Sequence, residues 1–264
     1  MIKIAKKYIK LILREKTVKS LSKNIKIIKI KILKIIEYFN IFIFSDPYKI
    51  AYKAGRIDKN YKAIESFIDF NNGIYFEIGA LDGYFSSPSY SLSVKRNWQG
   101  VMVDGNENFL DLIRLYRPKD EIVHAACTSD IIAKKNNTCN FIDLHHSGEI
   151  YFSNDQIDKY SKEKIRELGN KIIKKNVPLT TVTKIIEKSK IIKNNFIDLF
   201  ILDVEGHEME VLEGYNFSKI HTKYFLIESR TDNERMKINE FMKKNDYNCV
   251  GQTSSTDYLY LKIK

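Results

Sequence analysis

The chain has 264 residues, which is enough for one α/β domain with an extension but too few for two full catalytic domains. Its three cysteines are odd in number and unclustered, so the sequence suggests neither a disulfide framework nor a zinc site. The formal net charge of +11 is unevenly distributed along the chain.

The positive charge belongs to the N-terminal segment. Residues 1–35 contain twelve lysines and arginines and one acid, whereas the rest of the chain contains 32 basic and 32 acidic residues. Isoleucine or leucine recurs between the lysines, a pattern that favours a basic amphipathic helix. Lysines interrupt every apolar run before Glu37, and residues 41–44 fall far short of the ~20 apolar residues that a membrane span needs.

Two interpretations of this segment stay open. One is a helix that binds an anionic membrane surface through residues 1–40, and the other is a lysine-rich helix exposed to solvent. Binding of this segment to nucleic acid is a third, less favoured interpretation, since aromatic and arginine residues are almost absent before Tyr38. No small-residue cleavage site follows the segment. We therefore predict a cytoplasmic protein, peripheral at the inner membrane face in the first interpretation.

A break in the pattern occurs at Pro47, which can start a new helix. Residues 48–70 predict one or two helices that lead into the core. We predict a basic helical extension over residues 1–66 and a second domain over residues 67–264.

Strands and helices alternate through the second domain. The polar, weakly periodic residues 128–175 predict a functional cover or insertion. The alternation predicts a doubly wound, mostly parallel sheet. Strands are predicted at residues 74–78, 100–104, 121–126, 196–203, 224–228 and 257–263, and helices at residues 109–116, 181–189 and 234–244.

A glycine turn follows the first of these strands. Gly79 permits a positive φ and a close backbone approach, and Gly83 can do so again after the turn. The spacing matches the dinucleotide pattern G-x-G-x-x-G imperfectly. An acid two residues before Gly79, Glu77, suits a ligand with an ammonium group better than a pyrophosphate. The turn therefore predicts a site for a nucleotide-like ligand.

Polar residues also follow the other strands. Ligands of doubly wound sheets bind beyond the carboxyl ends of the strands, where the strand order reverses. We therefore expect residues 77–83, 126–129 and 203–208 to meet Asp104 in one crevice. Asp104 ends the second strand, 21 residues after Gly83, where an acid can accept hydrogen bonds from both ribose hydroxyls.

Four segments in this order resemble the FkbM family of S-adenosylmethionine-dependent methyltransferases. Residues 76–83 and 197–214 carry most of the resemblance, and residues 98–106 and 177–182 add to it. The resemblance covers roughly residues 70–262. This chain departs from the family at Gly105, where the family often has proline after a glutamate, and at Leu81, where it often has asparagine.

The resemblance implies a class I (Rossmann-like) methyltransferase fold, with the N-terminal helical extension outside it. It also implies S-adenosylmethionine as the cofactor and O-methylation of a sugar hydroxyl, here in a surface glycan or glycolipid precursor. This function would be a form of polysaccharide modification. The implied cofactor-binding residues are Glu77 for the methionine moiety, Gly79, Ala80, Asp82 and Gly83 for packing, Ser87 for a hydrogen bond, and Asp104 for the ribose.

The acceptor is expected to meet Asp203, Glu205 and His207, at the end of the central strand. An acceptor hydroxyl must lose a proton to a base, and His207 is the most natural base by its intrinsic pKa. Asp203 or Glu205 could serve if burial raises its pKa. A cap of the following helix is an equally supported role for His207. A divalent cation on this cluster is the minority option, and we predict no metal site.

Three other functions compete with this prediction. A nucleotide-binding oxidoreductase would leave the cluster at residues 203–208 without a role. A nucleic-acid methyltransferase is suggested by residues 45–48, but these lack the second proline of the Asp/Asn-Pro-Pro-Tyr motif and precede the cofactor strand. A non-catalytic, membrane-associated nucleotide-binding protein is disfavoured by the intact acids. An oligomer is compatible with the sequence.

Overall fold

The computed structural model of the protein describes residues 60–84, 87–143, 148–151 and 173–263. The basic segment 1–40 and the break at Pro47 lie outside the described residues. Among the described residues, no helix combines the length and the apolar character that crossing a membrane requires.

The described elements alternate between helices and strands for most of the chain. In chain order they are α1 (Asn60–Glu65), β1 (Ile74–Ile78), α2 (Pro88–Arg96), β2 (Gln99–Asp104), α3 (Glu107–Tyr116), β3 (Glu121–His124), β4 (Ala126–Cys127), α4 (Asp130–Lys135), β5 (Thr138–Asp143), β6 (Gly148–Tyr151), β7 (Ile173–Thr180), α5 (Val182–Lys188), β8 (Phe196–Leu202), α6 (Glu208–Glu213), β9 (His221–Glu228), α7 (Asp232–Lys244), β10 (Tyr247–Gln252) and β11 (Asp257–Lys262).

The main sheet has seven strands in the order β10-β11-β9-β8-β1-β2-β3. Strands β1, β2, β3, β8 and β9 pair in parallel, and β11 is antiparallel to both of its neighbours. The order reverses between β1 and β8, so the carboxyl ends of these two strands border a crevice. The predicted doubly wound, mostly parallel sheet is confirmed.

Both faces of the central strands are buried, which explains their continuous apolar runs. Along β8, Phe200 and Leu202 belong to one core cluster, whereas Leu199 and Ile201 belong to the other. Phe200 stacks on Phe76 of β1 with ring centroids 5.2 Å apart. Alternation along β1 and β8 therefore fills the core on both sides of the sheet.

Helix α1 contributes to this core, although the predicted domain boundary places it in the extension. Ile64 in α1 and Ile68 after it have no exposed surface and pack in the same cluster as Tyr75 and Trp98. The described part of the sheet thus receives its first covering residues before residue 67.

The segment after β3 forms a second, four-stranded sheet in the order β4-β7-β5-β6. Strand β7 is parallel to β4 and antiparallel to β5. The predicted cover over residues 128–175 therefore contains strands and helix α4, which its polar composition did not indicate. Phe141 of β5 contacts Gly105 at the end of β2, so this sheet borders the crevice.

Candidate active site

An open cleft lies at the carboxyl ends of β1, β2 and β8. Ligands of doubly wound sheets bind at this edge, beyond the carboxyl ends of the strands. All four predicted strand ends contribute to its lining, which includes Gly79, Asp104, Cys127, Asp203 and Glu205. The aromatic rings of Phe109 and Phe141 also line the cleft.

Gly79 follows β1 directly and lies against the backbone of Asp203, which follows β8. Its φ is +81°, and a Cβ atom there would lie 1.7 Å from the carbonyl oxygen of Asp203. The Gly79 amide donates a hydrogen bond to the Val103 carbonyl at 3.1 Å, and the Asp203 amide donates one to the Ile78 carbonyl at 3.2 Å. The chain therefore needs glycine at position 79 both for its backbone conformation and for the absence of a side chain.

Asp104 joins the glycine turn to the end of β2. Its carboxylate accepts hydrogen bonds from the amides of Leu81 at 2.8 Å and Asn106 at 2.7 Å. The residue is only 6% exposed yet lines the cleft. Leu81 has a φ of +48°, which is costly for a residue with a Cβ. The bond to Asp104 helps to hold this strained turn in place.

The other predicted cofactor residues do not line the cleft. Glu77 points to the opposite face of β1 from Ile78, where its carboxylate accepts hydrogen bonds from Ser87 at 3.0 Å and from Ser89. The residues of the turn contact each other or the core. Ala80 is buried in the core. The Asp82 carboxylate accepts a hydrogen bond from the Tyr84 amide at 2.9 Å, and the Gly83 amide donates one to the Ala80 carbonyl at 2.8 Å. Strand alternation and the tightness of the turn explain why these side chains do not reach the cleft.

Asp203 and Glu205 border the cleft next to two further ionisable residues. Asp203 shares a hydrogen bond between carboxyl groups with Glu228, at the end of β9. Arg230 forms ion pairs with Glu228 at 3.2 Å and with Glu205. Glu228 was not predicted, although the rule that selected the ends of the other strands applies equally to β9.

The paired carboxyl groups favour retention of a proton. Burial, followed by the nearby Asp203 and Glu208, raises the pKa of Glu228 to about 9. Desolvation and the nearby Asp257 also raise the pKa of Asp203. The hydrogen bond between the two groups raises the pKa of Glu228 and lowers that of Asp203. We therefore place the shared proton on Glu228, which leaves Asp203 as the charged acceptor.

His207 is held away from the cleft. Its Nε2 atom lies 3.2 Å from the Thr128 hydroxyl, and its Nδ1 atom lies 3.6 Å from the Glu210 carboxylate. Desolvation lowers the pKa of His207, although Glu210 opposes this shift. His207 precedes α6 at the N-cap position, but its side chain makes no capping hydrogen bond. The structure thus brings Asp203 and Glu205 to the cleft but not His207.

Glu208 shapes the loop that carries Glu205. Its carboxylate accepts hydrogen bonds from the amides of Val204 at 3.0 Å and Gly206 at 3.2 Å, and the residue is 3% exposed. Burial raises the pKa of Glu208 to about 7. Within the described stretches, no three His, Cys, Asp or Glu side chains are grouped so that they could hold a metal ion.

The close approach at Gly79 predicts a large loss of stability in the Gly79→Ala variant. The matched control is Gly206→Ala, because Gly206 has a φ of +99° but no atom lies within 4 Å of its added Cβ. We expect the control to lose about 1–2 kcal/mol from backbone strain alone. Gly79→Ala should lose at least about 2 kcal/mol more, because a carbonyl must also move. Urea unfolding measures both losses, and equal losses would show that the contact with Asp203 is unimportant.

The raised pKa of Glu208 predicts a pH-dependent stability. The folded state binds this proton more tightly than the unfolded chain, so its contribution is complete below about pH 4.5 and is lost as the pH rises through about 7. We expect Glu208→Gln to remove on the order of 3 kcal/mol from the pH dependence of the unfolding free energy. The exposed Glu213→Gln in the same helix should leave the wild-type slope unchanged. The raised pKa of Glu208 would be contradicted if the unfolding free energies of wild type and Glu208→Gln changed in parallel between about pH 4 and 8.

Comparisons with known proteins identify the family. A family model described as the methyltransferase FkbM domain matches residues 77–249, which is well over half of the chain. A comparison with curated proteins gives no significant match.

Solved structures of methyltransferases are similar to the chain at low identity. One is the methyltransferase FkbM from Methylobacillus flagellatus, with 11% identity, a TM-score of 0.45, and coverage of 85% of this chain and 52% of that chain. The chain thus spans about half the length of that protein. Another is a TehB-like S-adenosylmethionine-dependent methyltransferase from Corynebacterium glutamicum, with 8% identity, a TM-score of 0.41, and coverage of 83% and 96%.

The family match also bears on the predicted fold and cofactor. The strand order of the main sheet agrees with the predicted class I (Rossmann-like) methyltransferase fold. The match confirms S-adenosylmethionine as the cofactor and supports methyltransferase activity. Because the domain model spans the glycine turn, Asp104 and the residues after β8, the chain belongs to the FkbM methyltransferase family.

Proposed function

We propose that this protein is an S-adenosylmethionine-dependent O-methyltransferase that modifies a sugar hydroxyl in a surface glycan or glycolipid precursor. The observation that carries the proposal is the single cleft in which the glycine turn and Asp104 meet Asp203 and Glu205. The first pair suits the cofactor and the second pair suits a hydroxyl acceptor. When bound, S-adenosylmethionine supplies an electrophilic methyl group on a sulfonium.

The residues of the cleft fit this cofactor. A carboxylate can accept about four hydrogen bonds, and Asp104 is oriented by two backbone amides toward a position where ribose hydroxyls could donate to it. Phe109 and Phe141 supply aromatic surface that suits a purine ring. Gly79 lines the cleft with backbone atoms alone, so a ligand there meets main-chain groups.

The remaining predicted cofactor residues fit an indirect role. We propose that Glu77 and Ser87 hold the turn from beneath, since they bond to each other at 3.0 Å on the buried face of β1. Ala80, Asp82 and Gly83 would act through the shape of the turn and not through direct contact.

The acceptor side of the cleft is acidic. Carboxylates accept hydrogen bonds from hydroxyl groups, so Asp203 and Glu205 can orient a polyhydroxylated acceptor. The hydroxyl oxygen must form a bond to the methyl carbon while its proton passes to a base. Asp203 fits that role best, because it faces the cleft and Glu228 already holds the shared proton. His207 would instead position Thr128, with which it shares a hydrogen bond, beside Glu210 of α6.

The same acidity disfavours a nucleic-acid acceptor. Proteins that bind nucleic acids neutralise phosphates with lysines and arginines. Here Arg230 is already paired with Glu205 and Glu228. A phosphate backbone at this edge of the cleft would therefore be repelled by the Asp203 carboxylate without a free Arg230 to bind it, whereas a neutral sugar would not be repelled.

We further propose that residues 1–40 bring the protein to an anionic membrane surface. The support is the charge pattern, because twelve basic residues and one acid fall within residues 1–35. Each lysine or arginine near such a surface contributes about 1 kcal/mol to binding. A glycolipid acceptor would be presented at the same surface.

Cofactor binding is tested by calorimetry with S-adenosylhomocysteine and S-adenosylmethionine. We expect Asp104→Asn to raise the Kd by about 10–100-fold, which corresponds to the loss of hydrogen bonds to a charged group. Asp232→Asn is the control, because its side chain is 85% exposed on α7. Thermal unfolding of both variants shows whether the turn stays folded. Absence of binding to the wild type, or equal Kd values for wild type and Asp104→Asn, would contradict the proposal.

Membrane binding is tested by sedimentation with vesicles that contain phosphatidylserine. We expect the full chain to sediment with these vesicles but not with neutral phosphatidylcholine vesicles. Deleting residues 1–40 should abolish sedimentation and leave cofactor affinity unchanged. Sedimentation that survives the deletion would place the contact elsewhere in the chain.

A further inference from the structure

An arginine lies buried beneath the glycine turn and outside the cleft. Arg117 follows helix α3 and is 1% exposed. A buried guanidinium is costly unless nearly all of its N–H groups are bonded and its charge is compensated. The bonded partners of Arg117 therefore indicate which part of the structure it stabilises.

Two acids from separate parts of the chain compensate the charge of Arg117. Its Nε atom donates a hydrogen bond to the Asp120 carboxylate at 2.8 Å. Glu77 of β1 is the second acid that stabilises the charge. Burial alone would lower the pKa of Arg117, but Tyr75, Asp120 and Glu77 together raise it above its ordinary value. The guanidinium therefore stays charged.

The remaining N–H groups of Arg117 reach the turn and the start of α2. Nη1 donates to the Gly83 carbonyl at 3.2 Å and lies 3.4 Å from the Ser87 hydroxyl. Nη2 donates to the Ser89 hydroxyl at 2.8 Å and to the hydroxyl of Tyr75. Ser87 and Ser89 in turn donate to Glu77, so one bonded network spans both ends of the turn.

Packing reinforces these bonds. A Cβ atom on Gly83, whose φ is +71°, would lie 3.1 Å from Cγ of Arg117. The Arg117 guanidinium carbon also lies 4.9 Å from the centre of the Tyr75 ring. The arginine thus fills the space beneath the turn on the side opposite to the cleft.

We propose that Arg117 is a positioning residue that clamps the glycine turn in its ligand-binding conformation through the Gly83 carbonyl. The turn contains strained Leu81, whose amide orients Asp104, so a looser turn would also disorient that carboxylate. This inference rests on the proposed function, because it assigns Arg117 to the cofactor side of the same cleft. A lysine cannot replace the arginine, since it lacks the planar fork that reaches several partners at once.

The first test compares Arg117→Lys with Arg114→Lys. Arg114 is a matched control, because it lies three residues earlier and its side chain is 57% exposed. Hydrogen exchange of the amides of residues 79–84 needs no ligand. We expect Arg117→Lys to accelerate this exchange at least about tenfold and to raise the Kd for S-adenosylhomocysteine by a similar factor, with Arg114→Lys unchanged in both.

A second variant separates positioning from stability. Arg117→Met combined with Glu77→Gln and Asp120→Asn removes the buried charges together, a change that often preserves stability. We expect its thermal stability to recover relative to Arg117→Met alone, while affinity for S-adenosylhomocysteine stays low because the Gly83 carbonyl lacks its donor.

The outcomes distinguish this inference from the proposed function. If wild type fails to bind S-adenosylhomocysteine but the exchange of residues 79–84 still depends on Arg117, the proposed function fails and the clamp stands as a structural feature. If wild type binds and Arg117→Lys matches it in both affinity and exchange, the positioning role is wrong. Full recovery of affinity in the triple variant would also contradict it.

Discussion

The contact between Gly79 and the backbone of Asp203 is the constraint on which the cleft depends. No side chain fits between them, since an added Cβ would lie 1.7 Å from the Asp203 carbonyl oxygen. The two central strands can therefore bring their carboxyl ends together, with the glycine turn on one side and the acids after β8 on the other. The strand order reverses at the same place, so the loops diverge beyond the contact and leave a cleft between them.

Each side of the cleft is held by acids that do not all face the ligand. Glu77 and Asp120 compensate Arg117 beneath the turn, and Glu208 accepts amide hydrogen bonds within the loop after β8. The loops also contain Leu81 and Glu205 with positive φ. This strained conformation persists only where contacts with the surrounding structure fix it. Buried carboxyl groups thus stabilise the strained backbone on both sides of the cleft. The shape of the cleft therefore depends on whether these groups are protonated.

Sequence patterns predicted the sheet because its strands are buried on both faces and therefore appear as apolar runs. They also predicted the convergence of Gly79, Asp104 and Asp203, since the rule for parallel sheets depends only on strand order. They did not reveal β5 and β7, whose residues are polar and weakly periodic. The sequence also did not predict where side chains point, because that depends on register and packing. Examples are Glu77, which points to the buried face of β1, His207, which contacts Thr128, and Arg117, which is buried although it precedes Pro118.

Phe141 packs the second sheet against the end of β2, and this contact should affect which residues occur at positions 105 and 141 in related sequences. A Cβ atom on Gly105 would lie 2.8 Å from the Phe141 ring, so any other residue at position 105 requires the ring to shift. The family often has proline at that position, and proline carries a Cβ. Residues 105 and 141 should therefore covary: relatives with proline after the acidic residue would carry a smaller or displaced side chain at position 141, and the wall of their cleft would be built differently.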